Sequence, residues 1–113
     1  MFTIEERAAG ICVFRLDEMR LTAAVAPALK DALAAQVEAG KSRLVLDMGR
    51  VSFVDSTGLG TLVGLLKRVG TRGELVVCGV QPAVRQMFQL TRMDRVFRIF
   101  GTADQAVSEL QGA

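Results

Sequence analysis

Three small polar residues stand in a row at Asp55-Ser56-Thr57, between the hydrophobic pair Phe53-Val54 and the glycine-spaced run Gly58-Leu59-Gly60. All three are good helix N-cap types, and one helix needs only one cap. The hydroxyls left over lie beside backbone N–H groups that have no partner inside the helix, at an end that carries partial positive charge. That location suits a phosphoryl group, which would be held by the free N–H groups and would add about −1.5 to −2 charges beside Asp55. Gly58 and Gly60 have no side chains, so another protein's backbone or a nucleotide can come close. Each costs roughly 1 kcal/mol of helix propensity relative to Ala, which points to a need for access or close packing. A bulky residue at Gly58 is therefore expected to impair docking more than folding. An ordinary helix start with surplus caps remains an open reading of the same residues.

Other chemistries at this turn find less support. A catalytic serine needs an activating base, but the chain contains no His and no Lys stands close in sequence. A phosphate-binding loop of the Gly-x-x-x-x-Gly-Lys-Ser/Thr type is absent, and no Lys follows Gly60 until Lys67. Cys12 and Cys78 each sit inside an apolar run and form neither a Cys-x-x-Cys pair nor a zinc spacing. They read as two buried thiols in a reducing compartment. No catalytic residue, metal-ligand set or cofactor loop emerges, so the expectation is a binding protein rather than an enzyme.

The composition narrows the partners. The net charge is +2, from 14 basic and 12 acidic residues, with no Lys/Arg block and neither Tyr nor Trp. This argues against direct nucleic-acid binding, which needs a basic footprint or aromatic platforms. The longest apolar stretches fall far short of the roughly 20 residues that span a bilayer. The N-terminal stretch MFTIEERAAG carries acids where a signal peptide needs positive charge. The expectation is a cytoplasmic protein with no membrane insertion, acting as a monomer or weak dimer. At 113 residues the chain suits one domain, residues 1–113.

The elements that position the turn follow from hydrophobic period. Phe2–Glu6 reads as a short edge strand and Ile11–Leu16 as a stronger one. Thr22 offers an N-cap to a helix running to about Ala39, with Val25, Leu29, Leu33 and Val37 as its buried stripe and Gly40 as its stop. Arg43–Met48 is a second strong strand, and Val51–Val54 continues towards the polar turn. From Thr57 the period is helical, with Leu59, Leu62, Val63, Leu66 and Val69 on one side and Gly70 and Gly73 closing the helix. Glu74–Cys78 is a third central strand. Pro82 opens a helix through Leu90 whose apolar face is Val84, Met87 and Phe88. Val96–Phe100 is a last strand and Asp104–Leu110 a terminal helix. Met87 and Met93 read as core filler, and Arg85, Arg92 and Arg95 as a solvated basic face. Strands alternating with helices imply βαβ units. The fold class is therefore α/β, a mixed, mostly parallel sheet of about 4–5 strands with about four helices, the first two strands pairing as a hairpin. Sites in such sheets gather where strands end and helices begin, which is where Asp55 lies.

The run Leu44-Val45-Leu46-Asp47-Met48, followed by Val51 to Gly60, resembles the core signature of STAS domains and is most similar to the bacterial anti-sigma-factor antagonists. The resemblance extends over nearly the whole chain. Ala26-Pro27-Ala28-Leu29, Glu74 to Cys78, Pro82 to Phe88 and Phe97 to Phe100 fall in the family's order. It implies that the unphosphorylated protein binds an anti-sigma factor that is also a serine kinase and so frees sigma factor. The kinase would phosphorylate the serine after the motif Asp, here Ser56, with Thr57 as second choice. The modified protein would bind poorly until a serine phosphatase restored it. Thr22, Asp55, Ser56, Thr57, Gly58 and Gly60 would form the partner-binding surface, and no cofactor would be needed.

One segment departs from the family. Where Gly-x-Leu-Asp is common before the first helix, Met19 replaces the Gly, Thr22 replaces the Asp and the loop is one residue longer. That loop should lie beside Ser56, and its changes bear on which partner docks. A different class of function remains alongside: a STAS scaffold, never phosphorylated, within a transporter or larger signalling assembly.

Overall fold

The strands β2 (Ile11–Leu16), β4 (Arg43–Asp47) and β6 (Glu74–Cys78) lie side by side in parallel, as a computed structural model of residues 1–112 shows; the side chain of Thr71 is not described. Strand β1 (Phe2–Glu6) pairs antiparallel with β2 at one edge, and β7 (Ile99–Phe100) pairs parallel with β6 at the other. The five-stranded order is β1-β2-β4-β6-β7, the mixed and mostly parallel sheet expected from the sequence. Among the described residues four α-helices accompany it: α1 (Ala26–Glu38), α2 (Ser56–Val69), α3 (Pro82–Leu90) and α4 (Ala103–Gln111).

The central strands are apolar on both faces because both faces are covered. Cys12, Phe14, Leu16, Leu44, Leu46, Leu75 and Val77 pack with Leu29, Leu33, Leu62, Leu65, Val84, Phe88 and Phe97 from α1, α2 and the α3 region. The alternate residues Ile11, Val13, Val45, Val76 and Cys78 pack on Ala106, Val107 and Leu110 of α4. Met87 and Met93 lie at the rim of the first cluster, as filler. Both cysteines are fully buried and free. Burial pushes the Cys78 thiol up to about 12, with the Asp47 carboxylate adding to the effect, so it stays protonated and unreactive at neutral pH.

Three boundaries and the buried face of one helix differ from the sequence expectation. Helix α1 begins at Ala26, not just after Thr22. The Thr22 carbonyl accepts from Val25 N–H at 3.0 Å and Ala26 N–H at 2.8 Å, and its Oγ1 accepts from Ala24 N–H at 3.3 Å. Thr22 therefore closes a turn ahead of the helix and is not its N-cap. On α2, Leu65 is buried while Leu59, Val63 and Leu66 are half-buried, because this helix packs against both α1 and β6 and needs two apolar faces. The last strand is only Ile99–Phe100, since Phe97 turns into the core against Phe88 with ring centroids 5.9 Å apart. The stretch before Asp55 is also shorter than expected. It is a two-residue strand β5 (Phe53–Val54) that pairs parallel with β3 (Arg20–Leu21) in a separate ribbon. Strand β3 gave no signal in the sequence.

Candidate functional site

Asp55 is the residue that caps α2. Its backbone is extended (φ −90°, ψ −180°) and its Oδ1 accepts from Gly58 N–H at 2.7 Å, the N3 donor that a cap satisfies. Its Oδ2 accepts from Ala23 N–H at 3.3 Å, and its own N–H donates to the Leu21 carbonyl at 3.1 Å. One carboxylate thus fastens the start of α2 to the turn that leads into α1. Asp55→Ala should cost about 1 kcal/mol or somewhat more, seen as a lower denaturation midpoint, because a cap and a tertiary hydrogen bond go together.

With Asp55 committed to capping, Ser56 and Thr57 occupy the first two helical positions, and both are exposed. Neither hydroxyl has a hydrogen-bond partner among the described residues. The sequence alone left open which of the three residues caps. The tertiary donor on Ala23, 32 positions away, marks Asp55 as the capping residue and leaves two free hydroxyls. Thr57 also lines a shallow groove of about 430 Å³ between α1 and α2, together with Gly60, Thr61, Gly64, Lys30 and Arg68.

The two glycines of the motif serve different ends. Gly58 is buried, and a Cβ there would press into the Leu21 carbonyl oxygen and lie 2.9 Å from Leu21 Cγ. Its lack of a side chain is demanded by the fold itself, which corrects the expectation that a larger residue would harm docking more than folding. Gly60 is exposed, and a Cβ there would meet nothing within 4 Å. Among the described residues nothing requires that glycine.

The structure brings Asp55, Ser56, Thr57, Gly58 and Gly60 together at the start of α2, with half-buried Thr22 next to Ala23, whose N–H donates to Asp55. The loop at Met19 meets the chain at Ser52, four positions before Ser56. Its carbonyl accepts from Ser52 N–H at 2.8 Å and from Ser52 Oγ at 3.2 Å. Arg85, Arg92 and Arg95 are exposed on α3 and the segment after it. Residues that sequence reasoning missed are Leu21, whose carbonyl organises the turn, and Phe53, which stays 42% exposed. A two-residue strand offers no periodicity by which either could have been found.

Among the described residues no helix is long and apolar enough to cross a membrane. The STAS domain family model matches residues 4–106. A Bordetella bronchiseptica protein, BtrV, named as an anti-sigma factor antagonist, is 33% identical over 94 residues, covering 82% of this chain and 81% of its own. The anti-sigma-B factor antagonist of Listeria monocytogenes is 37% identical over 82 residues, covering 70% of each. In fold the chain also matches the Bacillus cell-fate determinant SpoIIAA in its phosphorylated form, with a TM-score of 0.73 at 20% identity over 96% of this chain and 98% of that one. The unphosphorylated form of SpoIIAA, described as an anti-sigma factor antagonist, matches with a TM-score of 0.75 at 20% identity over the whole of both chains.

Proposed function

The chain belongs to the STAS domain family, and we propose that it is an anti-sigma-factor antagonist whose switch is phosphorylation of Ser56 by a kinase that is also the anti-sigma factor. The observation that carries this reading is the free Ser56 hydroxyl at the first position of α2, beside the capping Asp55 and the open helix face at Gly60. The relatives are named as antagonists of anti-sigma factors, and SpoIIAA, which shares the fold, has both phosphorylated and unphosphorylated forms. The same surface would dock the unmodified protein on the kinase. Ser56, Thr57 and Gly60 would meet the partner, while Asp55, Gly58 and Thr22 would hold them in place.

In the unmodified state the surface is neutral at Ser56 and complementary to a kinase active site. Transfer of a phosphoryl group puts about −1.5 to −2 charges there. The helix N-terminus tolerates that charge, favourably by about 0.3–1 kcal/mol, whereas a partner surface fitted to a hydroxyl does not. A serine phosphatase would reset the cycle in the cytoplasm, with residues 1–113 acting as one STAS unit. The test is binding of unmodified and phosphorylated protein to the serine-kinase anti-sigma factors encoded in the same genome. Capture of one kinase by the unmodified form only is the expected result. An absence of label on Ser56 with every such kinase and ATP would favour the unphosphorylated scaffold instead.

A further inference from the structure

We infer that Arg20 and Phe53, stacked on the β3–β5 ribbon, form the partner-specificity element of the Ser56 surface and receive a kinase segment that presents an apolar side chain next to a carboxylate. This rests on the proposed function, since it concerns the same docking event. Arg20 and Phe53 are register partners in the ribbon, and the Arg20 guanidinium carbon lies 4.4 Å from the Phe53 ring centroid. The ribbon is anchored from below by the next pair, Leu21 (fully buried) and Val54 (8% exposed). It is tied to the start of α2 by the hydrogen bond from Asp55 N–H to the Leu21 carbonyl. Phe53 precedes Ser56 by three positions, so the pair and the proposed acceptor serine lie on one short segment.

The fold does not account for the aromatic ring. Leu21 and Val54 supply the ribbon's burial, and a β-branched residue at position 53 would suit a strand equally well. An exposed cation–π pair contributes only about 0.5–1 kcal/mol, yet Phe53 leaves much of its ring in water. Met19, one residue before the ribbon, is 64% exposed as well. Single exposed apolar residues are ordinary. Here both lie along the ribbon that leads into the Ser56 turn, Met19 at its Ser52 end and Phe53 opposite Arg20, and Arg and aromatic side chains are the types that dominate binding energy at interfaces.

Charge identifies the occupant. Arg20 has no carboxylate within 4.0 Å among the described residues, and Asp17 in the same loop is engaged by Arg50 at 2.8 Å. A guanidinium over a ring still has N–H donors to offer a carboxylate, in the paired geometry that Arg favours. A single cation beside an exposed ring fits a protein segment, not a polyanion, which needs a run of cations. A carboxylate on the partner at this point also sharpens the switch, because phosphate on Ser56 would then face a like charge.

Unphosphorylated wild type, F53S, R20E and R92E are to be measured for equilibrium binding against each serine-kinase anti-sigma factor of the same genome, with thermal melts alongside. The expected result is that F53S and R20E each weaken the wild-type interaction by about tenfold or more, with R92E unchanged. Because R20E alters only an exposed side chain, it reads binding even if F53S melts early. Equal binding by R20E and wild type overturns the inference while the Ser56 function stands. So does an equal loss in R92E, which would mark unspecific attraction. If wild type binds none of the kinases, the proposed function fails and this inference falls with it.

Discussion

Ser56→Ala is expected to abolish phosphoryl transfer while leaving partner binding intact. Incubated with the cognate kinase and ATP, the wild type should gain the mass of one phosphoryl group and the variant none. The geometry makes the expectation sharp. Ser56 is exposed at the first position of α2 and has no hydrogen bond to surrender among the described residues, so loss of its hydroxyl neither opens a cavity nor strands a donor. Thr57 is exposed at the next position, and label that persists in the variant would move the acceptor there. Ser56→Glu should act in the opposite sense, retaining the fold and weakening binding by about tenfold or more, since a desolvated charge at an interface costs several kcal/mol. Its melting temperature should hold or rise slightly, because an acid at a helix N-terminus is favourable. A glutamate variant that binds as the wild type does would count against an electrostatic switch at this position.

The sequence made the scaffold around this switch legible for plain reasons. Strands β4 and β6 are short unbroken apolar runs bounded by Arg, Asp, Glu or Gly, and both turned out to be covered on both faces. Pro82 and Gly40 marked a helix start and a helix end by their backbone limits alone, Gly40 with φ +92°. What was not legible depends on contacts between distant residues. Choosing Asp55 as the cap required its second partner, Ala23. The β3–β5 ribbon is two residues wide on each side, too short for a period of two to register. Thr22 has the right chemistry for a cap, but its carbonyl was already committed to a turn, a matter of backbone path rather than residue type. Phe97 looked like a strand residue because Val96 to Phe100 is apolar. The ring instead crosses into the core, which shortens the strand to its last two residues.

Gly58→Ala separates the two meanings a glycine can have in this motif, and it should destabilise the protein despite the better helix propensity of Ala. Propensity alone would favour the change by roughly 1 kcal/mol. Against it stands a methyl group forced into the Leu21 carbonyl and against Leu21 Cγ at 2.9 Å. The same carbonyl accepts from Asp55 N–H, so it cannot retreat without loosening the turn. Overpacking of this kind typically costs about 1–3 kcal/mol. Because a backbone atom is the obstacle, the upper part of that range is expected, with a drop in Tm on the order of 4–8 °C per kcal/mol. Gly60→Ala is the control. A Cβ there meets nothing, so the variant should be as stable as wild type or up to about 1 kcal/mol more stable. If Gly60 is kept open for a partner, that more stable protein should bind its kinase less well. Parallel melts and binding curves for the two variants would show Gly58 failing in folding and Gly60 failing only in docking. A Gly58→Ala protein that melts with the wild type would mean that Leu21 moves aside freely, and the clamp between β3 and α2 would lose its role in presenting Ser56.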